Sequence, residues 1–376
     1  MAGLYIHIPF CLQRCHYCDF HFSTDMRYVD RMVDALVTEL KNKASDWKQY
    51  TFQTLYFGGG TPSILEAEHL KDLLSAIHSE FSLESDLEVT LEANPEDMHP
   101  HKLKLWSEMG VNRLSIGIQS LDDSSLAGMN RAHTVEQAIE AIRAARTAGF
   151  DNISLDLIFG RPESTISSVQ NDLDGLLAFR PEHISAYALT IESKTYFSHL
   201  ERKGLLKPME SHEVAEQFVM IGRVLEDHGY ERYEVSNYAR PDFESRHNSS
   251  YWSGEPYLGI GPSAHSFDGE RRSWNVRSNH QYMRSMETDL DYAQSEELDV
   301  KTRFNEYVMT RSRTKWGLDL DYARTAFGVD IEQRFEKELT IYHGKYRILD
   351  GHLILNEEGL LMADRFSSDL FLIDEE

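Results

Sequence analysis

Thiols are scarce in this 376-residue chain: there are three cysteines, and all of them stand between residues 11 and 18. With no cysteine elsewhere, a disulfide framework and a closed four-cysteine zinc site are both excluded. Long apolar runs are missing too, and none approaches the ~18 residues that span a bilayer. The opening residues, "MAGLYIHIPF", lack a basic segment followed by a cleavable apolar stretch. No secretory signal is therefore expected, and a reducing cytoplasm is the expected setting, where thiols stay available as ligands. Positive charge is in deficit as well. With 38 Lys and Arg against 62 Asp and Glu, the net charge is −24. Such a field repels phosphate backbones, so nucleic acid is not expected as a partner despite local basic runs such as "RSRTK". The hydrophobic share of 41% can build a sizeable core, and the length suggests one large domain with a smaller one.

What is present is a recurring β-rich run followed by a helix-like segment. Six such runs fall at 4–9, 52–57, 87–93, 113–119, 153–159 and 183–189. Between them, Thr61 can N-cap a helix with Pro62 at its first position, and Leu70, Leu73, Leu74, Ile77 and Phe81 form one stripe. Thr134-x-x-Gln137 reads as a capping box for a helix that stops at Gly149. Strand–helix alternation predicts an α/β fold with a parallel sheet, an open (β/α)6 partial barrel rather than a full eight. From about Tyr230 the pattern loosens, and the acidic stretch 286–299 reads as a surface linker. Helices, a short hairpin and a last helix then predict a C-terminal, mainly helical, winged-helix-like module, serving as scaffold or docking domain. The expected division is 1–235 for the barrel, 236–295 for an extension and linker, and 296–376 for the C-terminal domain.

Cys11, Cys15 and Cys18 sit on the loop after the first strand, with gaps of three and two residues. One short segment can thus wrap three thiolates around one compact object. Zinc would need a fourth ligand from His7, His16 or His21, and a disulfide would leave an odd thiol. An iron–sulfur cubane suits three soft thiolates and leaves one iron open to a small molecule. Downstream, "FGGGTP" (57–62) lets backbone approach a ligand closely. It lacks the Gly-Lys-Ser/Thr ending of a phosphate loop, while a plain strand–helix turn stays open as an alternative. Glu92, Gln119 and Asp156 stand at or near the C-terminal ends of three strands, where side chains point into a barrel mouth.

C-x3-C-x2-C after a first barrel strand resembles the radical S-adenosylmethionine (SAM) superfamily. "LYIHIPFC" further resembles its branch containing oxygen-independent coproporphyrinogen III oxidase, and the similarity runs over nearly the whole chain. The resemblance implies a 4Fe-4S cluster on Cys11, Cys15 and Cys18. Its open iron would chelate the amino and carboxylate groups of SAM, whose cleavage would give a 5′-deoxyadenosyl radical. Tyr17 would pack near the cluster and adenine. Gly60 and Thr61 would receive the SAM amino group, and Glu92 its amino or ribose end. Gln119, Arg131 and Asp156 would hold nucleoside and carboxylate, with Tyr5 a further contact.

Within the branch, the oxidase pattern has another cysteine two residues after the third, where this sequence has Phe20, and a longer segment before its first strand. "RHNSSYW" supplies His247, Asn248, Tyr251 and Trp252, and so resembles the H-N-x-x-Y-W signature of the HemW heme chaperones. The resemblance implies heme as a further ligand, with His247 as axial ligand, His265 as second candidate, and Tyr and Trp as flat apolar surface. It implies apo-hemoproteins as partners and the cluster and SAM supporting or regulating transfer, with dimerisation as one route, and it leaves transient membrane contact near respiratory hemoproteins open. The alternative is an enzyme, the radical SAM oxidase that removes propionate carboxylates of coproporphyrinogen III as CO2. No catalytic residue is assigned for it.

Overall fold

The structure, a computed structural model, describes residues 1–288 and 290–373. Its centre is six strands: β1 (Ala2–Ile8), β2 (Thr51–Gly59), β3 (Ser82–Ala93), β4 (Arg113–Gln119), β5 (Ile153–Phe159) and β6 (His183–Ala188). They pair in chain order and all in parallel. This is the α/β partial barrel that the strand–helix alternation predicts. Each strand alternates in a consistent sense. Leu4, Ile6, Leu55, Phe57, Leu114, Ile116, Leu155 and Leu157 are buried in the apolar core. On the opposite, lumen-facing side stand Tyr5, Tyr56, Glu92, Ser115, Asp156 and Ser185, so the inside of this barrel is polar.

Local chemistry sets most of the helix starts. Thr134 accepts the Gln137 amide, and Gln137 in turn caps the Thr134 amide, which is the capping box expected there. Thr61 departs from expectation: it precedes a 3-10 turn, Pro62–Ile64, without a side-chain cap, and the helix begins later at Ala67. Its hydroxyl is used elsewhere, as described below.

The sheet grows beyond the six strands at both edges. Next to β6 lie β7 (Glu231–Arg232) and β8 (Asn237–Ala239), both antiparallel additions. Beside β1 lies β9 (Tyr257–Ile260), in parallel, followed by β10 (His265–Phe267), β11 (Arg271–Asn275) and β12 (Ala293–Glu297) in antiparallel order. The linker expected over 286–299 is therefore corrected: 293–297 is the outer edge strand. Exposed Glu296 and Glu297 on an open edge discourage pairing with another chain, which gives an edge strand a linker's composition. Asp289, in the same stretch, lies outside the described residues. Leu258, Ile260, Tyr282 and Met283 pack into the same core as the barrel. The junction holds a buried carboxylate, Glu39, which accepts bonds from the Gly261 amide at 2.8 Å, the Asn275 amide at 2.8 Å and the Tyr282 hydroxyl.

The C-terminal residues form a separate small sheet, β13 (Leu318–Asp319), β14 (Tyr346–Leu349) and β15 (His352–Leu355), in the order β13-β15-β14. With the surrounding helices it encloses a second core around Phe304, Val308, Phe335, Tyr342, Leu353 and Phe366. No helix among the described residues is long and apolar enough to cross a membrane.

One buried ion pair locks the loop that follows β4. Asp172 meets Arg161 at 2.8 Å, and its carboxylate also accepts from the Leu121 amide and the Ser120 hydroxyl. Gln119, just before, is held at a φ of 68°, a left-handed conformation unusual for a residue with a side chain. Asp172→Asn leaves the Arg161 guanidinium buried without its counter-charge. It is expected to lower unfolding stability by about 3 kcal/mol, read from denaturant midpoints.

Candidate functional site

At the C-terminal ends of the parallel strands lies a cavity of about 640 Å³. It is lined by Cys11, Cys15 and Cys18 on one side and by strand-end residues on the other. Of the residues singled out from the sequence, Tyr17, Gly60, Thr61, Glu92, Gln119, Arg131, Asp156 and Asn248 also line it. Tyr5 stands just behind, stacked on Tyr56 at 6.1 Å.

The cysteine loop is fastened to the barrel by backbone and side-chain bonds. The Gly60 amide donates to the Ile8 carbonyl at 2.8 Å and the Thr61 amide to the Phe10 carbonyl at 2.7 Å. A Cβ on Gly60 would stand 2.5 Å from the Phe10 carbonyl oxygen, so this glycine is demanded by the approach of two backbones. Thr61 donates its hydroxyl to Cys11 Sγ at 3.3 Å, which explains why it caps no helix. Arg131 reaches Cys15 Sγ at 3.4 Å while bonding Asn94 Oδ1 at 2.7 Å and the Gly117 carbonyl at 2.9 Å. Burial pushes the Cys11 thiol up to about 12 and raises Cys18 as well. Thiols in such a place become thiolates when a soft cation binds them, so this donor set fits an iron–sulfur group.

Zinc's extra ligand is poorly provided for. His7 shares its two nitrogens between the Tyr5 hydroxyl and the His21 carbonyl. His16 bonds the Gly128 carbonyl, and His21 bonds Asn279. Among the described residues no three His, Cys, Asp or Glu side chains are placed to grip a single metal ion.

Opposite the thiols the cavity is ionisable. Glu92 accepts from the Tyr56 hydroxyl at 2.8 Å and the Gly59 amide at 3.2 Å. Burial drives its carboxyl up to about 7, and that of Asp156 up to about 6. Arg113 lines the same cavity almost wholly buried, and its Nε has no hydrogen-bond partner among the described residues. Arg113 was not singled out from the sequence, although the alternation Arg113, Ser115, Gly117, Gln119 within "RLSIGIQ" marks a polar face inside an apolar strand. All four line the cavity.

The heme-signature residues divide. They lie on the helix Arg246–Ser253, whose first amides, those of Arg246 and His247, donate to the Glu88 carboxylate. Asn248 reaches the cavity. His247 does not. Its ring is 1% exposed, with Nδ1 2.8 Å from Thr54 Oγ1 and Nε2 3.0 Å from the Tyr251 hydroxyl. It stacks on Tyr56 at 4.9 Å, and burial lowers its pKa to about 3. His247 closes the lumen beneath the cavity as a neutral, doubly bonded ring. Trp252 is half-buried, and His265 is exposed on β10.

A parallel partial barrel with three thiols and a charged cavity at its mouth defines a protein of the radical SAM type. The family model for the radical SAM superfamily matches residues 5–176. The heme chaperone HemW of Bacillus subtilis is 36% identical over 342 residues, covering 90% of each chain, and that of Mycobacterium tuberculosis is 35% identical over 367 residues, 96% of this chain and 93% of its own. Among solved structures, coproporphyrinogen III oxidase (HemN) from Escherichia coli superposes with a TM-score of 0.85 at 21% identity, over 98% of this chain and 90% of the other, which establishes the shared fold. The chain belongs to the HemW family of the radical SAM superfamily.

Proposed function

We propose that this protein is a heme chaperone, binding heme and passing it to acceptor hemoproteins, with a cluster and SAM in the cavity. The observation that carries the reading is similarity to proteins named heme chaperones over at least nine-tenths of both chains, C-terminal module included. Cys11, Cys15 and Cys18 would hold a 4Fe-4S cluster, and Glu92, Gln119, Arg131 and Asp156 the polar groups of SAM. When bound, the pair supplies one-electron reducing chemistry at a sulfonium. The chain's own part is to bind and enclose: Arg131 and Thr61 supply donors to the sulfurs, and Asn94 and the Gly117 carbonyl orient Arg131. Phe20, 75% exposed and lining the cavity, gives the loop no fourth thiol.

Anaerobic reconstitution followed by two assays on one sample tests the reading. Added hemin should give a Soret band and move to an apo-hemoprotein. Coproporphyrinogen III with SAM should give no vinyl product, and its formation at a catalytic rate would overturn the proposal.

The raised carboxyls add a pH dependence. Glu92 and Asp156 must be ionised to accept from SAM's amino or ribose groups, so SAM affinity should fall about tenfold as pH drops from about 8 to about 5.5. The ligand-free fold should respond oppositely. Both groups hold protons more tightly folded than unfolded, so the stability they contribute is present at low pH and lost as pH rises through about 6 to 7. Calorimetry of SAM binding and thermal melts across that range measure the two trends separately.

A further inference from the structure

Resting on the reading of SAM in the cavity, we propose that Arg113 is a positioning residue for it. Its buried charge keeps the Glu92 and Asp156 carboxylates ionised, so that both can accept from the ligand.

Strand pairing places the three groups together. Tyr5 pairs with Tyr56, Tyr56 with Thr90, and Thr90 with Arg113, across four neighbouring strands. Directly paired residues share a face, so Arg113 belongs to the same lumen row as the two tyrosines. The next row towards the mouth holds Glu92, which pairs with Ser115. Ser115 in turn donates to Asp156 at 3.3 Å. Arg113 therefore lies one pleat deeper than Glu92 and Ser115, and all four line one cavity.

Arg113 is 1% exposed, and its guanidinium makes no hydrogen bond among the described residues. A buried cation without bonds is costly unless an opposite charge compensates it. Glu92 and Asp156 are the carboxyls within its field. The other groups facing it are neutral: burial holds His183 and His247 deprotonated, and Tyr56 and Tyr233 protonated. Tyr5, Tyr187 and Tyr251, which face the two carboxylates, are kept protonated in the same way. Glu234 stands by Tyr187 and Tyr233 and accepts from Asn237. Arg131, the second cation near Asp156, is already bonded to Cys15, Asn94 and the Gly117 carbonyl.

The work is thus divided. Tyr56 and the Gly59 amide orient Glu92, while Ser115 and Ser185 orient Asp156. Two carboxylates in one enclosed cavity also repel, so without a cation one of them would hold its proton at neutral pH. Arg113 opposes that on both. Having no bond of its own, it acts by charge alone.

Two neutral variants, Arg113→Met and Arg113→Gln, and the charge-keeping Arg113→Lys test this in the full chain. In the ligand-free protein, the infrared band of the protonated carboxyl, assigned by its loss in Glu92→Gln, should disappear at least about one pH unit higher in the neutral variants. Arg113→Lys should stay near wild type. After anaerobic reconstitution, calorimetry should show SAM binding about tenfold weaker at about pH 7 in the neutral variants, recovering to within about threefold of wild type at about pH 8.5. An unmoved band, or a deficit of equal size at every pH, overturns the assignment and leaves SAM binding intact. A wild-type protein that binds no SAM overturns the reading of the cavity itself, whatever the band does. Both neutral variants should fold at about pH 5.5, where protonated carboxyls need no compensating charge. Failure of both to fold there overturns the assignment as well.

Discussion

Replacing Cys15 by serine is expected to abolish the broad iron–sulfur absorbance after anaerobic reconstitution, together with nearly all bound iron and sulfide. Serine is close in size, so the loop keeps its backbone bonds to the glycine turn. Arg131 loses a sulfur acceptor but retains Asn94 and the Gly117 carbonyl. Far-UV circular dichroism and melting temperature should therefore stay near wild type while the cluster disappears. The chemical reason is that a hydroxyl does not ionise to give the soft ligand iron–sulfur clusters require. Full iron and sulfide in the variant, or stoichiometric zinc in either protein, would sink the assignment of the three thiols.

The second large effect concerns stability. His247→Ala is expected to reduce it by about 4 kcal/mol, a melting shift of about 5 °C for a chain of 376 residues. Removing the ring opens a cavity beside Tyr5 and Tyr56 and leaves the Thr54 and Tyr251 hydroxyls without their partner. Gly3 would feel the change as well, since it lies against the His247 ring. A side chain that only waited for a ligand would cost little when trimmed from the empty protein. An unchanged melting temperature would therefore show that His247 does not brace the lumen, and would reopen it as a ligand.

These two residues also show how far sequence reading reaches. The cysteine spacing is local, a property of eight consecutive residues, so it could be read without a fold. Six strands were legible because apolar β-rich runs and capping signals are local too; β4 and β5 have the same bounds as the runs at 113–119 and 153–159. Thr61 was harder. Its position before Pro62 satisfies the rule for a helix cap, yet a sulfur fifty residues away in sequence takes the hydroxyl. Arg113 was overlooked because a charge at the start of an apolar strand looks like a boundary marker, and only the polar alternation behind it signals a lumen face. The acidic 293–297 read as a linker because an exposed edge strand and a linker face the same requirement, charge in water.

By itself, the sequence determined the parallel α/β architecture, the three-thiol loop, the family and the overall acidity, since each rests on short-range pattern or composition. Only the tertiary structure decided which histidine is open. His247 and His265 are both polar residues in irregular sequence, and nothing local separates them. One is carried by a helix into the lumen, where Thr54 and Tyr251 take both its nitrogens, and the other is left by an added sheet edge beside Trp274 with none taken. Tyr251 is a local partner of His247, but Thr54 lies some two hundred residues away in the chain, and that contact exists only once the strands have paired.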